Sequence, residues 1–168
     1  NIIDLNIKKK FGIITRFSED KNIIMLLFAL QKFFHIYNDY EFYLVGYEDD
    51  YMQSYILYLI SYLKIDKFIK IEGYQDNTQK YYDMFDFIIL PSVSEGTPYN
   101  LIESMIYKKL IIASDAGGNC ELLDDNYISI NYDKIKQFEY ENLYVENYNK
   151  QLNLLGYYTI NNYDEDRK

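Results

Sequence analysis

Tryptophan is missing from these 168 residues, and there is one cysteine (Cys120), one histidine (His35) and two prolines, Pro91 and Pro98. A single thiol cannot form a disulfide within the chain, so a reducing, cytoplasmic setting is expected. Basic excess is lacking too. The formal net charge is −9, which argues against general nucleic-acid binding, because phosphates need cations to neutralise them. An acidic body can still hold a local basic pocket, so the sum leaves a phosphate ligand open. No signal peptide is visible, no apolar run reaches membrane-spanning length, and no amphipathic basic surface is evident; peripheral membrane association stays open.

What is present is enough for one ordinary domain with a real core: 49% of the residues are apolar. The first residue is Asn rather than Met, which suggests a piece of a longer polypeptide. The scarcities make the rare residues informative. Both prolines bracket Glu95, and the only arginines are Arg167, in a charged tail, and Arg16, after the first apolar run. Gly46, Gly73, Gly96, Gly117 and Gly118 fall just after expected strands.

Apolar runs and helical spacing alternate along the chain. Strands are expected at Phe11–Thr15, Phe42–Val45, Phe68–Ile71, Phe87–Leu90, Leu110–Ala113 and Tyr127–Ile130. Between them, helices are expected over Asn22–Tyr37, Asp50–Lys64, Thr78–Phe85, Tyr99–Tyr107 and Asn119–Leu123. Several strands are apolar throughout, as in a parallel sheet covered on both faces, so the fold class is α/β: a Rossmann-like doubly wound parallel sheet. Residues 1–10 read as a lysine-rich lead-in and 11–134 as the domain. A helical C-terminal extension and an acidic tail follow over 135–168.

In such sheets ligands bind beyond the carboxyl ends of the strands. Those ends here carry Arg16 and Lys21, Gly46, Gly73-Tyr74, Ser92 to Pro98, and Asp115 to Gly118. Thr97 fits an N-cap and Pro98 the first helical position, leaving the N–H groups of Tyr99, Asn100 and Leu101 for an anion at the positive end of the helix dipole. Arg16 and Lys21 could add full positive charge. Glu95 and Glu103 flank the junction with carboxylates suited to hydroxyl groups. A nucleotide-sugar combines these features, a diphosphate between a ribose and a sugar. The ordinary alternatives are solvated loop cations and glutamates that complement the helix dipole. Tyrosines and Met52, Met84 and Met105 read as packing, His35 as a surface or core histidine, and Glu48 to Asp50 and Asp124-Asp125 as solvated charge or caps rather than a metal site.

The segment Asp86-Phe-Ile-Ile-Leu-Pro-Ser92…Glu95-Gly-Thr-Pro98…Leu101-Ile-Glu103 resembles the E-x7-E signature of the family 4 retaining glycosyltransferases, whose GT-B fold pairs two Rossmann-like domains. Arg16…Lys21-Asn22, Leu44-Val-Gly46, Ile71-Glu-Gly73, Tyr81-Tyr-Asp83 and Ala113-Ser-Asp115-Ala-Gly-Gly118…Glu121 match in the family's order, over roughly residues 11 to 133. The resemblance implies the donor-binding C-terminal domain of such an enzyme. It would bind a UDP-, GDP- or ADP-linked sugar and transfer the sugar with retention of configuration, without metal or other cofactor. Arg16 and Lys21 would hold the diphosphate, Glu103 the ribose hydroxyls and Glu95 the transferred sugar. The backbone of Gly96, Thr97, Tyr99, Asn100 and Leu101 would line phosphates and sugar, and Gly73-Tyr74 would border the base. An acceptor-binding N-terminal domain would complete the protein, and the fragment alone should transfer poorly.

Three departures stand out. Thr15 replaces a glycine before Arg16, only Gly46 is left of a Gly-x-Gly after the second strand, and Tyr107-Lys108-Lys109 lacks the usual glycine stop, a cost of about 1 kcal/mol. Other readings are a non-catalytic nucleotide-sugar-binding module, an epimerase of the same architecture, and a receiver-type signalling domain. The last lacks an aspartate after a middle strand.

Overall fold

A computed structural model describes residues 8–47, 50–123 and 128–130, the last three by backbone alone. The readings placed on Glu48, Asp49, Asp124 and Asp125 and on 135–168 lie outside these residues. The elements are β1 (Lys9–Ile14), α1 (Ile23–Ile36), β2 (Tyr40–Val45), α2 (Asp50–Tyr62), β3 (Ile69–Glu72), α3 (Gln79–Met84), β4 (Phe87–Leu90), α4 (Tyr99–Ile106), β5 (Leu110–Ser114), α5 (Gly118–Leu122) and β6 (Ile128–Ile130). The strands form one sheet in the order β3-β2-β1-β4-β5-β6, and every neighbouring pair is parallel. From β1 the chain winds outward through β2 to β3, then crosses back to β4 beside β1 and winds the other way. The switch point between β1 and β4 is where loops leave in opposite directions and open a crevice.

Strand alternation explains both cores. Phe11 and Ile13 of β1 and Phe42 and Leu44 of β2 are buried together with Leu27, Leu30 and Phe34 of α1 and Ile56 and Leu59 of α2. Phe11 stacks on Phe87 at 4.5 Å and meets Phe42 edge-on at 5.1 Å, while Phe34 stacks on Phe68 at 4.4 Å. Each such buried side chain contributes about 1.5–3 kcal/mol. Tyr43, Val45, Ile88, Leu90, Ile111 and Ala113 form a second cluster with Tyr81, Tyr82 and Phe85 around α3 and Leu101 of α4.

Within the described residues the expected strands and helices are all found, with shifted ends. Strand β1 starts at Lys9, two residues early, because Lys9 donates its N–H to the Asp39 carbonyl at 3.0 Å and pairs with Tyr40 before the apolar run begins. Tyr37, Tyr62 and Met105, expected to be packed, are exposed at 49%, 48% and 46%. They sit at the helix margins, where apolar spacing continues past the edge of the sheet. His35 is exposed, as expected of a surface histidine. Helix α4 does end without glycine. Lys108 takes a left-handed φ of 53°, donates to the Met105 carbonyl at 2.9 Å, and the Lys109 N–H returns to Ser104 at 2.9 Å.

Candidate functional site

Parallel strands bring the segments after β1, β4 and β5 to one edge, and the backbone ties them together. The Val93 N–H donates to the Asp20 carbonyl at 2.9 Å, and the Gly118 N–H to the Glu95 carbonyl at 2.9 Å. Asn22, left-handed at φ 55° as asparagine tolerates, donates its Nδ2 to the Pro91 carbonyl at 3.2 Å.

Within this frame the Lys21 ammonium lies 2.9 Å from Glu95 Oε1 and 3.0 Å from Asp20 Oδ2. Ser92 Oγ donates to the same Glu95 Oε1 at 2.6 Å. The Glu95 side chain is 5% exposed and that of Lys21 14%, so the pair is largely shielded from water. Burial pulls the Lys21 pKa down, but the hydrogen bonds and charges of Glu95 and Asp20 outweigh it and hold the ammonium above its ordinary value. Below Glu95 runs a buried polar chain. Ser114 Oγ donates to the Ser92 carbonyl, and Asn119 Nδ2 donates to the Ser114 carbonyl at 3.2 Å. Arg16 differs from Lys21: it is exposed and has no carboxylate partner among the described residues. The loop thus presents one cation already committed to two carboxylates and one open to solvent.

The start of α4 differs by one residue from expectation. Pro98, not Thr97, is the N-cap, because its carbonyl accepts the N–H groups of Leu101 at 3.0 Å and Ile102 at 3.1 Å. The proline is buried, with its ring beside Gly118 at the start of α5. The Tyr99 N–H turns back to the Thr97 carbonyl at 3.0 Å, so of the three expected amides only that of Asn100 has no acceptor among the described residues. Asn100 Nδ2 lies 3.4 Å from the carbonyl of Ile14, tying α4 to the end of β1. One turn on, Glu103 Oε2 accepts the Tyr82 hydroxyl at 2.8 Å. Gly73 and Tyr74 are exposed on the same edge, farther along, beyond β2.

Glycines divide into two kinds here. A β-carbon at Gly118 would lie 1.9 Å from the Gly96 carbonyl oxygen, one at Gly117 (φ 44°) 2.3 Å from that of Glu95, and one at Gly46 (φ 137°) 1.7 Å from that of Thr15. These glycines let loops cross in contact. The Gly46 crossing carries the segment leading into Arg16, although Thr15 stands where the pattern favours glycine. At Gly96 and Gly73 an added β-carbon would meet nothing within 4 Å. The protein's own packing does not require glycine there.

The structure brings Lys21 to Glu95, at the start of the 96–101 segment, while Arg16 stands on the same sheet edge with its flanking backbone bound to Val45 and Tyr47. It adds supports that sequence spacing did not single out: Asp20 and Ser92 on the ion pair, Asn22 bracing the loop, and Tyr82 on Glu103. Ser92 stands inside the polar loop and was findable there. Tyr82 lies inside the Tyr81-Tyr-Asp83 match, which assigned it no role, and it is one of 21 tyrosines. Among the described residues no three His, Cys, Asp or Glu side chains gather as a metal site, and no helix is long and apolar enough to cross a membrane.

The family model described as "Glycosyl transferases group 1" matches residues 8–141. Among solved structures, Anabaena HepE in complex with UDP and glucose superposes with a TM-score of 0.67 at 21% identity, over 78% of this chain and 38% of that one. A TarM variant of Staphylococcus aureus, in complex with Fondaparinux, alpha-GlcNAc-glycerol and UDP, gives 0.69 at 26% identity, over 77% and 28%. The C-terminal domain of the group 1 glycosyl transferase LpcC from Francisella tularensis gives 0.66 at 19% identity, over 78% and 73%. The chain therefore spans well under half of the HepE and TarM chains and most of the isolated LpcC domain. A comparison with curated protein sequences gives no match.

Proposed function

The chain belongs to the glycosyl transferases group 1 family, and we propose that it is the donor-side half of a retaining glycosyltransferase, binding a nucleotide-diphosphate sugar at the β1/β4 switch point. One observation carries the reading: Lys21 and Glu95, 74 residues apart in sequence, meet at 2.9 Å. A cationic loop and a helix-opening loop that bears a carboxylate thus share one edge, as recognition of a sugar diphosphate requires.

The roles follow from the condition of each group. Arg16, exposed and without a carboxylate partner among the described residues, takes the diphosphate together with the Asn100 N–H and the start of α4. Lys21 contributes charge to the same phosphates while orienting Glu95, whose carboxylate accepts hydroxyls of the sugar. Glu103 accepts the ribose hydroxyls, and Gly73-Tyr74 borders the base. The open space at Gly96 supports a ligand passing over its backbone. As the sugar departs, negative charge grows on the leaving phosphate, and cations already in place stabilise it more than they stabilise the bound donor. Departure and attack on one face would retain configuration without a metal. HepE and TarM were captured with UDP, so UDP-sugars are the first donors to try. A separate acceptor-binding domain in the full-length protein completes the transfer.

The test is a thermal-unfolding panel of UDP-, GDP- and ADP-sugars. The binding donor at a hundredfold excess over Kd should stabilise the domain by about 2.7 kcal/mol. Arg16→Ala and Glu103→Ala should each weaken its binding by about tenfold or more. No response to any donor, or unchanged binding in both variants, overturns the reading.

A further inference from the structure

Beneath the start of α4, Tyr82 of α3 is fully buried, and its ring lies flat against that of Tyr107 with centroids 4.8 Å apart and planes at 3°. A phenylalanine would fill that space equally well. What tyrosine adds is the hydroxyl, which donates to Glu103 Oε2 at 2.8 Å and lies 3.4 Å from the Asn100 carbonyl. The site therefore holds a buried phenol anchored by stacking, with its one proton directed at a carboxylate one turn into α4. An unheld glutamate must surrender side-chain freedom when a ligand fixes it. Here much of that ordering exists before any ligand arrives.

We propose that Tyr82 is a positioning residue for Glu103, holding the carboxylate in one rotamer so that it meets the ribose 2′- and 3′-hydroxyls of the donor nucleotide. The proposal rests on the reading of Glu103 as the ribose acceptor. Burial and the Glu103 charge both push the Tyr82 phenol above its ordinary range, so it keeps its proton to donate at physiological pH. Asn100 joins the same unit: its backbone carbonyl accepts Ser104 Oγ at 2.6 Å, which fixes the turn between Asn100 and Glu103.

The test uses the 168-residue chain and two probes, UDP and 2′,3′-dideoxy-UDP, with the GDP or ADP pair substituted if those bind more tightly. The ratio of their dissociation constants, measured by calorimetry, isolates what the ribose hydroxyls contribute. Tyr82→Phe keeps the ring and its stack and should lower that ratio by about fivefold, leaving dideoxy affinity unchanged. Tyr107→Phe, which keeps the stack, should leave the ratio as it is. Glu103→Gln separates the two layers of the argument. If it collapses the ratio while Tyr82→Phe does not change it, the positioning role is overturned and the ribose site stands. If Glu103→Gln changes nothing, the ribose assignment falls and takes the proposal with it. Equal loss of both probes in Tyr82→Phe would mark packing alone and also overturn it.

Discussion

The N–H of Gly118 donates to the carbonyl of Glu95 at 2.9 Å, and the missing side chain of Gly118 leaves room for the next carbonyl, that of Gly96, which an added β-carbon would meet at 1.9 Å. Gly118→Ala should therefore destabilise the fold by about 1–3 kcal/mol, because a backbone carbonyl stands in the way and cannot rotate aside. Gly96→Ala should leave stability unchanged or raise it by up to about 1 kcal/mol, while weakening donor binding. Denaturant titration and nucleotide-sugar titration of both variants check the contrast. Donor binding that survives in Gly96→Ala would mean no ligand crosses that backbone.

Removing Lys21 strands Glu95 in a shielded position with only Ser92 as side-chain donor. Lys21→Ala should cost about 1–3 kcal/mol. Glu95→Gln in the same chain should recover part of it, with a coupling of roughly 0.5–3 kcal/mol in the double-mutant cycle. Additive effects would show that the contact is not energetically coupled.

Lys108 occupies a left-handed position at the end of α4 that costs a side-chain-bearing residue roughly 1 kcal/mol. Lys108→Gly should raise stability by up to that amount in urea unfolding. A loss of stability would indicate that the lysine side chain contributes more than its backbone conformation costs.

Alkaline pH offers a further check. Burial first, then Glu103, raises the Tyr82 phenol above its ordinary 10.0, and burial with Glu41 does the same for Tyr43. Above 10.0 the unfolded chain releases protons that the folded chain retains, so stability falls as pH rises past that point. Lys21, raised above 10.5, adds in the same direction: its contribution is complete below 10.5 and is lost as pH climbs through its folded value. Urea midpoints measured at increasing pH should fall beyond about pH 10, and less steeply in Tyr82→Phe. Midpoints that hold steady there would contradict these shifts.

The sheet was legible because its central strands are covered on both faces: Phe42 to Val45 are all buried, and Phe87-Ile-Ile-Leu90 alternates only between buried and half-buried positions, so both runs stay apolar. Helical spacing identified α1 and α2 but could not say where their apolar faces end, which is why Tyr37 and Tyr62 proved exposed. Rare residues located the loops: Arg16, Glu95 and the glycine pair Gly117-Gly118 all stand on the predicted edge. The helix cap moved by one residue: Pro98 lies buried beside Gly118, a distant neighbour that no local pattern contains. Contacts such as Tyr82 to Glu103 and Lys21 to Glu95 link distant positions through common residue types, and only coordinates reveal them.

Among the described residues β3 closes one margin of the sheet with only four residues, and exposed Lys70 stands within it, 3.9 Å from Glu41. A brief, charged border is a poor template for another polypeptide to extend. That flank is thereby guarded against strand-by-strand self-association, a safeguard that Lys70→Val should weaken.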